Sequence, residues 1–545
     1  MHELHIFNTL TRKKEAFSPL REGFVGIYVC GPTVYGDPHL GHAKSYVSFD
    51  IVVRYFRYLD YRVRYVQNIT DVGHLSDDAD EGEDKMAKQS RIERLEPMEI
   101  AEKYTYRYFR DMDRLNVLRP DISPRATGHI PEQIAMIKRL INKGHAYEVD
   151  GNVYFDVTSL PDYGKLSGRS LDEAEAGARV EVSSGKKNAA DFALWKKADE
   201  SHIMRWDSPW GEGFPGWHIE CSAMATKYLG QTIDIHGGGL ENQFPHHECE
   251  IAQCEGAHDR PFVRYWMHNN MVTLNGQKMG KSLGNAISLD QFFTGEHDLL
   301  SRAWTPEVIR FFLLQSHYRS TTDFSESALE SAETGYRNLA AILDQIRRAA
   351  DDARQSDAVD NDSKNKSGGD SRKSRGAGSA EGDHSAEGGN SAQGGSSAEG
   401  GNSAQGGGSD NVASGSSFDL EMLRDGLHTC MNDDFNTAKA IGLLFEQLRP
   451  LKPALQSGKI PVNIIELYDF VEPFCRDVLG IWQPDEAAAP GGDLPFDGVM
   501  QILLDLRQAA RKNKDWETAD LIRNRLAGLG ITVEDGPGGS TYKLS

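Results

Sequence analysis

The stretch "YVCGPTVYGDPHLGHAKSYVSFD", Tyr28 to Asp50, decides the fold class of this chain. The residues that lead into it, "EGFVGIYVCGP", are apolar and indicate a short strand that stops at a Gly-Pro break. After the glycine loop, "YVSFDIVVRYFRYL" has the pattern of a long amphipathic helix, and "YRVRYVQNIT" alternates like a second strand. Strand, glycine loop, helix and strand open a doubly wound domain, so we predict an α/β, Rossmann-like fold.

The composition limits the class of protein. A chain of 545 residues is too long for one hydrophobic core and predicts several domains. The mean hydropathy is -0.53, no apolar run approaches the ~18 residues of a membrane helix, and "MHELHIFNTLTRKKEAF" lacks a secretory apolar region. Six scattered cysteines fit a reducing compartment, so we expect a cytoplasmic protein without a membrane partner. The net charge of -21 by itself disfavours nucleic acid, but local basic patches decide such binding.

An internal repeat interrupts the chain. "SAEGGNSAQGGSSAEGGNSAQGG" lies within 351–417, a stretch without Leu, Ile, Met or aromatic residues. Such a segment cannot bury apolar surface, so we predict a disordered, low-complexity insertion there. Helical patterning resumes at Phe418 and continues to about Trp482.

Cys30, His39 and His42, in the opening stretch, allow two interpretations. Together they would form a small zinc knot. Alternatively, His39 and His42 lie at the start of the helix beside Gly41, where free backbone N–H groups attract phosphate and imidazoles donate to its oxygens. Gly41 has no side chain, which lets a ligand approach the backbone. The loop alone fits an exposed histidine pair at a helix start equally well.

A second glycine-rich loop, "NGQKMGKSLGN", carries Lys278 and Lys281 three residues apart. Two point charges in such a loop suit the binding of a polyphosphate. Loops of lysine and glycine are common on protein surfaces, but the H-x-G-H loop upstream strengthens the phosphate interpretation.

Candidate metal ligands lie further along the chain. Cys221 ends "GWHIEC", and in "PHHECE" His246 and Glu250 are four residues apart, hence on one helix face. With Cys30 they supply two thiolates, an imidazole and a carboxylate, which is an acceptable zinc shell.

The residues alone leave this ligand set open. Cys249 and Cys254 lie at similar spacings from His246 and Glu250, and thiolate is a better zinc ligand than carboxylate. The alternative role of these two cysteines is that of ordinary buried thiols.

These motifs carry a family resemblance. "HLGH" and "KMGKS" are similar to the HIGH and KMSKS signatures of class I aminoacyl-tRNA synthetases. More narrowly, the chain resembles cysteinyl-tRNA synthetases in "YVCGPTVY", "NITD", "GWHIECSAM", "DIHGGG", "FPHHE" and "KSLGN", from about Phe7 to Asp323 and again through the C-terminal part. It departs from the family at Gly280, where KMSKS has serine, and at Glu241, where the family often has aspartate.

The resemblance implies roles for particular residues. The ligands of one Zn²⁺ per subunit are implied to be Cys30, Cys221, His246 and Glu250, with His247 and Glu248 as their neighbours or supports. The residues implied in catalysis and ATP binding are His39, His42, Lys278 and Lys281, with Gly239 added for ATP. The residues implied around the substrate cysteine are Thr70, Trp217 and His236. Trp217 alternatively packs in the core, as most tryptophans do.

The implied reaction is the two-step charging of tRNA(Cys). ATP, with Mg²⁺, activates L-cysteine to cysteinyl adenylate, and a ribose hydroxyl at the tRNA 3′ end then accepts the cysteine. Zinc would select cysteine because it binds a thiolate in preference to the hydroxyl of serine. We expect a monomer. The alternatives are a cysteine ligase that passes cysteine to an amino-sugar, and a non-catalytic RNA-binding relative, which would have lost the motifs.

Pattern and resemblance together give the expected domain order. The Rossmann-like catalytic domain is expected in two halves, 1–124 and 199–305, around an inserted connective domain at 125–198. The segments expected after it are 306–350, a stem-contact region that starts a helical bundle; 351–417, the low-complexity insertion; 418–482, the tRNA-binding bundle; and 483–545, a small anticodon-binding domain.

The last of these domains contains a basic island, "RQAARKNKDWETADLIRNRL", in an acidic chain. Trp516 within it is suited to stack on a base of a single-stranded anticodon loop. The alternative is an amphipathic helix pair with Trp516 in its core.

Overall fold

The computed structural model describes residues 3–75, 84–170, 185–200, 202–279, 285–367, 418–482, 496–512, 514–527, 531–536 and 539–544. The chain forms two compact units, which are Met1–Trp482 and Gln483–Ser545. Within the described ranges, no helix is both long and apolar enough to span a bilayer.

Short strands recur along both units. In chain order they are β1 (His5–Asn8), β2 (Lys13–Ala16), β3 (Phe24–Val29), β4 (Arg62–Gln67), β5 (Ala146–Val149), β6 (Asn152–Phe155), β7 (Phe192–Lys197), β8 (Gly213–Pro215), β9 (Ile233–Gly239), β10 (Val263–Asn269), β11 (Val272–Leu274), β12 (Gln277–Lys278), β13 (Thr322–Phe324), β14 (Ile531–Gly536) and β15 (Gly539–Leu544).

Helices connect these strands and dominate the chain after β13. In chain order they are α1 (Leu40–Tyr58), α2 (Lys85–Glu93), α3 (Pro97–Arg114), α4 (Ile130–Asn142), α5 (Trp217–Leu229), α6 (His246–His258), α7 (Leu289–Thr294), α8 (Pro306–Leu314), α9 (Glu326–Ser367), α10 (Leu420–Asn432), α11 (Thr437–Leu448), α12 (Lys452–Ser457), α13 (Ile464–Pro473), α14 (Phe496–Lys512) and α15 (Trp516–Ala527).

The central sheet is parallel, in the order β10-β9-β3-β4. β3 pairs with β4 on one side and with β9 on the other, and α1 connects β3 to β4. The strand order therefore reverses between β3 and β9, which is where doubly wound folds bind ligands beyond the carboxyl ends of the strands. Every residue of β9 is buried, as expected of a parallel strand covered on both faces. The predicted α/β, Rossmann-like fold is confirmed.

A second sheet is antiparallel, in the order β5-β6-β7-β8, and follows α4. β7 pairs with β8, with Trp195 opposite Pro215, so this sheet continues past the boundary predicted at 198. The sequence did not indicate β8 because it has three residues and one of them is proline, which is rare inside sheets.

The helices that follow share the hydrophobic core of the parallel sheet. One cluster of buried side chains runs from Ile27 in β3 through Phe311 in α8 to Leu444 in α11 and Leu467 in α13. The helical part thus packs directly on the sheet within the first unit, where the sequence indicated separate segments.

The long helix α9 crosses the domain boundary that was predicted at residue 351. It continues to Ser367, although 351–417 was predicted to be disordered. Arg354 of α9 forms an ion pair with Asp469 of α13, and Ala350 is fully buried, so packing against α13 carries the helix past 351. The rest of the predicted insertion, 368–417, lies outside the described residues.

The second unit combines α14 and α15 with the antiparallel pair of β14 and β15. Met500, Leu526 and Ile531 form its small core. Trp516 is 58% exposed, so the interpretation of this tryptophan as a core residue is wrong.

Candidate active site

A cavity of about 710 Å³ lies beyond the carboxyl ends of β3, β4 and β9. Cys30 follows β3, Asn68 follows β4 and Gly239 ends β9, and all three line it. The sequence-predicted site residues that line this cavity are Cys30, His39, His42, Thr70, Trp217, Cys221, Gly239 and His246.

His39 is the N-cap of α1. Its Nδ1 accepts a hydrogen bond from the Gly41 N–H at 3.1 Å, and Nδ1 of His42 accepts one from the His39 N–H at 3.1 Å. This reciprocal pair is a capping box, which satisfies backbone donors at the start of the helix. A neutral imidazole that accepts at Nδ1 carries its proton at Nε2, so each ring has an N–H that can donate to an anion.

Gly41 has a second reason to lack a side chain. A Cβ at this position would lie 2.9 Å from Cε1 and 3.0 Å from Nδ1 of the His39 ring. The missing side chain therefore makes room for the capping imidazole, and Gly41 also lines the cavity, so close approach of a ligand to this backbone stays a prediction.

The candidate metal donors come from three distant segments of the chain. The residues whose donor atoms all lie within 4.8 Å of one another are Cys30, Cys221, His246 and Glu250, and all four are buried. His246 Nε2 is 3.1 Å from Glu250 Oε1, and Cys30 Sγ is 3.6 Å from the same oxygen. Cys30 thus joins donors on α5 and α6, and not the histidines of its own loop.

The charges of these donors suit a cation. Burial opposes ionisation of Cys221, but hydrogen bonding to Cys30 and His246 outweighs it and lowers the pKa to about 6. Burial also opposes ionisation of Glu250, yet His236 and His246 lower its pKa to about 2. Against its own burial, His246 has a pKa raised to about 10 by hydrogen bonds to Cys221 and Glu250. Two buried anionic donors therefore draw positive charge to this position, as a metal site does.

A second set of donors overlaps the first. Its members, also within 4.8 Å of one another, are Cys30, His236, His247 and Glu250. His247 Nε2 lies 3.2 Å from Cys30 Sγ, and His236 Nε2 lies 2.9 Å from Glu250 Oε2. Neither histidine is part of the cavity lining. His236 thus contacts Glu250, and its predicted place beside the substrate stays a prediction.

The alternative cysteine ligands lie elsewhere. Cys249 Sγ is 3.7 Å from the Tyr163 hydroxyl, and Cys254 Sγ is 3.9 Å from the Thr226 hydroxyl. Neither cysteine belongs to a candidate metal group among the described residues, and both are buried. Glu248 anchors a loop instead of the metal group, by accepting hydrogen bonds from the backbone N–H groups of Gly164, Leu166 and Ser167.

Thr70 is buried at the cavity wall. Its hydroxyl accepts a hydrogen bond from Asn68 Nδ2 at 3.0 Å and donates one to Glu220. Burial raises the pKa of the Glu220 carboxyl well above its ordinary value. The Thr70 hydroxyl is therefore fixed by partners on both sides.

Trp217 borders the cavity as the first residue of α5, and it is half-buried. Its ring stacks on His74 and contacts His246, with centroid separations of 4.0 and 4.5 Å. The indole is thus part of the wall next to a candidate metal donor, and the alternative of a fully buried core tryptophan does not apply.

Gly239 and Glu241 lie together in the cavity lining. The Glu241 carboxylate packs over the Gly239 Cα, at the place that a Cβ would take. Any side chain at position 239 would therefore displace Glu241 from the cavity wall.

Of the two predicted lysines, the structure describes only Lys278. Lys278 is exposed in β12 and is not among the cavity-lining residues. Lys281 and Gly280 lie outside the described residues.

Sequence reasoning missed His74 and Lys85, which also line the cavity. A histidine after "NITDVG" and a lysine at the start of a helix have no diagnostic spacing. Only the place of His74 in the chain could have indicated it. His74 follows the carboxyl end of β4, and the site residues of doubly wound folds gather at such strand ends.

Three separate parts of the chain match known protein families. Residues 16–334 match the family of class I (C) tRNA synthetase catalytic domains, 427–483 match the DALR domain, and 496–542 match the anticodon binding domain of cysteinyl-tRNA ligase.

Curated relatives and solved structures agree. The chain is 49% identical over 546 residues to the cysteine–tRNA ligase of Chlorobium luteolum, with 99% of each chain covered. It is 45% identical over 551 residues to that of Bacteroides thetaiotaomicron, covering 100% of this chain and 99% of the other. The methionyl-tRNA synthetase of Mycobacterium tuberculosis in complex with methionyl-adenylate has a TM-score of 0.54 over 84% of this chain and 92% of its own, and at 14% identity this likeness concerns the fold alone.

Proposed function

Because the chain belongs to the cysteinyl-tRNA synthetase (cysteine–tRNA ligase) family, we propose that its cavity activates L-cysteine with ATP and that the cysteine is then transferred to tRNA(Cys). The protein is a ligase that forms aminoacyl-tRNA. The observation that carries the assignment to this cavity is its lining, which joins the donors Cys30, Cys221 and His246 to the capped start of α1. Transfer to an amino-sugar has no comparable support, and the matched anticodon binding domain favours tRNA.

The metal proposed for the cavity is zinc. Cys30, Cys221, His246 and Glu250 would hold it, since thiolate, imidazole and carboxylate are its usual ligands and two of these donors are already anionic at neutral pH. Zinc bound there would act as a Lewis acid that binds the thiolate of cysteine in preference to the hydroxyl of serine. His236 and His247 hold Glu250 and Cys30 in place, at 2.9 and 3.2 Å.

The first step joins cysteine to AMP. The cysteine carboxylate attacks the α-phosphorus of ATP, the bond to the bridging oxygen breaks, and pyrophosphate leaves with the electron pair. His39 and His42 donate from Nε2 to phosphate oxygens, and the N-terminus of α1 adds its dipole, where negative charge develops. Lys278 and Lys281 bind the departing pyrophosphate, and Mg²⁺ accompanies ATP.

The second step transfers cysteine to RNA. A ribose hydroxyl at the tRNA 3′ end attacks the carbonyl carbon of the adenylate, and AMP leaves. The helical segment 418–482 and the unit from Gln483 to Ser545 contact the tRNA, with exposed Trp516 offering a face for a base. The enzyme acts as a monomer in the cytoplasm.

The test is cysteine-dependent exchange of labelled pyrophosphate into ATP, followed by charging of tRNA that bears the cysteine anticodon. Zinc-loaded protein should do both, and serine in place of cysteine is the matched control, which should give little exchange. Exchange without charging would support cysteine activation in this cavity, but it would mean that an acceptor other than this tRNA takes the cysteine. No exchange with cysteine would overturn the proposal.

A further inference from the structure

We infer that His74 positions Trp217 in the cysteine pocket, and that Lys85 and Thr33 hold the His74 ring in the orientation that does so. The inference rests on the proposed function, because it needs Trp217 beside the substrate. His74 is buried and lines the cavity, yet the two reaction steps do not use it.

Stacking fixes the plane of the indole. The ring centroids of Trp217 and His74 are 4.0 Å apart and their planes differ by 11°, which is a close parallel stack. The same indole meets His246 at 4.5 Å with 36° between the planes. His74 therefore sets how the pocket wall faces a proposed zinc ligand, since the indole cannot rotate without opening the stack.

Hydrogen bonds fix the plane of the imidazole. Lys85 Nζ lies 2.8 Å from Nε2 of His74, and the Thr33 hydroxyl oxygen lies 2.6 Å from Nδ1. An ammonium group only donates, so Nε2 accepts; the neutral ring then carries its proton at Nδ1 and donates it to Thr33. With both ring nitrogens engaged, His74 has one tautomer and one orientation.

The backbone near His74 is locked to the segment that carries Trp217. Gly73 has a φ of +80°, and a Cβ there would lie 2.5 Å from the carbonyl oxygen of Pro215, which ends β8 just before α5. Asp84, the N-cap of α2, accepts a hydrogen bond from the Gly73 N–H at 3.3 Å. Only glycine fits this close turn, and the turn brings the start of α2 and the end of β8 together around the stacked rings.

The experiment measures pyrophosphate exchange by the zinc-loaded, full-length protein at varied cysteine and varied ATP. His74→Ala should raise the KM for cysteine about two- to tenfold, the factor expected for loss of one aromatic stack, and leave the KM for ATP unchanged. His74→Phe keeps a flat ring on Trp217 without the hydrogen bonds and should recover only part of the loss. Lys85→Met removes one hydrogen bond but leaves the ring, so its rise in cysteine KM should be smaller.

His145→Ala is the matched control. The His145 ring also has a hydroxyl partner, with Nδ1 2.9 Å from Ser159 Oγ, and lies parallel to Phe155, but it is outside the cavity lining. This variant should keep both KM values of the wild type.

An unchanged cysteine KM in His74→Ala would overturn the role of His74, and an unchanged cysteine KM in Lys85→Met or a full recovery in His74→Phe would overturn the role of the hydrogen bonds. Wild-type exchange would leave the proposed function standing in each case. Should His74→Ala not fold, Lys85→Met decides: an unchanged cysteine KM there overturns the inference, and a raised one with normal ATP KM supports it. Absence of exchange by the wild type would remove the proposed function and this inference with it.

Discussion

The two ends of the cavity are built in different ways. The phosphate end is local, because His39 and His42 cap one helix within four residues and remain half-buried. The metal end is assembled, because Cys30, Cys221 and Glu250 come from the end of β3, from α5 and from α6, and all are buried. A local cap tolerates the loss of one member, whereas loss of one buried ionic donor leaves the others without compensation. Substitutions should therefore have unequal effects at the two ends.

The largest effect is expected from Cys30→Ala. Loss of one thiol from four donors should reduce zinc affinity and cysteine activation together, each by more than about 10²-fold, since even groups that merely support metal ligands contribute about 10- to 100-fold. Metal content by elemental analysis and the rate of pyrophosphate exchange measure the two losses.

Cys249→Ala is the matched control for this thiol. Cys249 is also buried, on α6, but faces Tyr163, so its loss should leave zinc content and exchange at wild-type levels. Full zinc occupancy in Cys30→Ala, together with loss of zinc in Cys249→Ala, would show that Cys249 and not Cys30 is a metal ligand.

At the phosphate end we expect His42→Ala to lower the exchange kcat by about 10²-fold, the usual effect of losing one donor to a transition-state charge. Zinc content should not change, because His42 does not belong to the donor group. The variant also loses a capping partner, which costs about 1 kcal/mol of helix stability.

His42→Gln separates the two roles of this histidine. Glutamine at this position of a capping box still accepts from the N-cap N–H, so the thermal unfolding temperature should return to that of the wild type. The exchange rate should stay low because the imidazole donor is missing. Recovery of the exchange rate in His42→Gln would show that His42 only caps the helix and does not donate to the phosphate.

A smaller and more selective effect is expected from Trp516→Ala. If a base of the tRNA stacks on this exposed indole, the KM for tRNA should rise about 5- to 100-fold, whereas exchange, which needs no tRNA, should be unchanged. Leu521→Ala removes another exposed apolar side chain from α15 and serves as control. Equal effects of both variants on charging would argue against stacking.

The smallest effect is expected from replacing 368–408 with a short glycine-serine linker. The segment has no Leu, Ile, Met or aromatic residue and supplies nothing that a core needs. Exchange and charging rates should stay within about twofold of the wild type, because both ends of the cavity are built from other segments. A large loss of the charging rate would assign this segment a role in tRNA binding.

The two ends also differ in how far the sequence predicted them. The order of strand, loop and helix, the histidines at the helix start and the fold class follow from local pattern. The choice between Cys30 and Cys249 does not, because both spacings suit a metal. The contact of His236 with Glu250 is hidden for a related reason: every residue of β9 is buried, so the strand shows no alternation that would tell its two faces apart.

By itself the sequence determined the α/β opening, the two histidines at the helix start and, through its motifs, the family, because periodicity and motifs are properties of neighbouring residues. Only the tertiary structure decided that Cys30 meets Cys221, that His236 contacts Glu250 and that His74 stacks on Trp217. Two of these contacts join segments far apart in the chain, and the third joins β9 to the next helix; strand order and helix packing set all three, which no local pattern encodes.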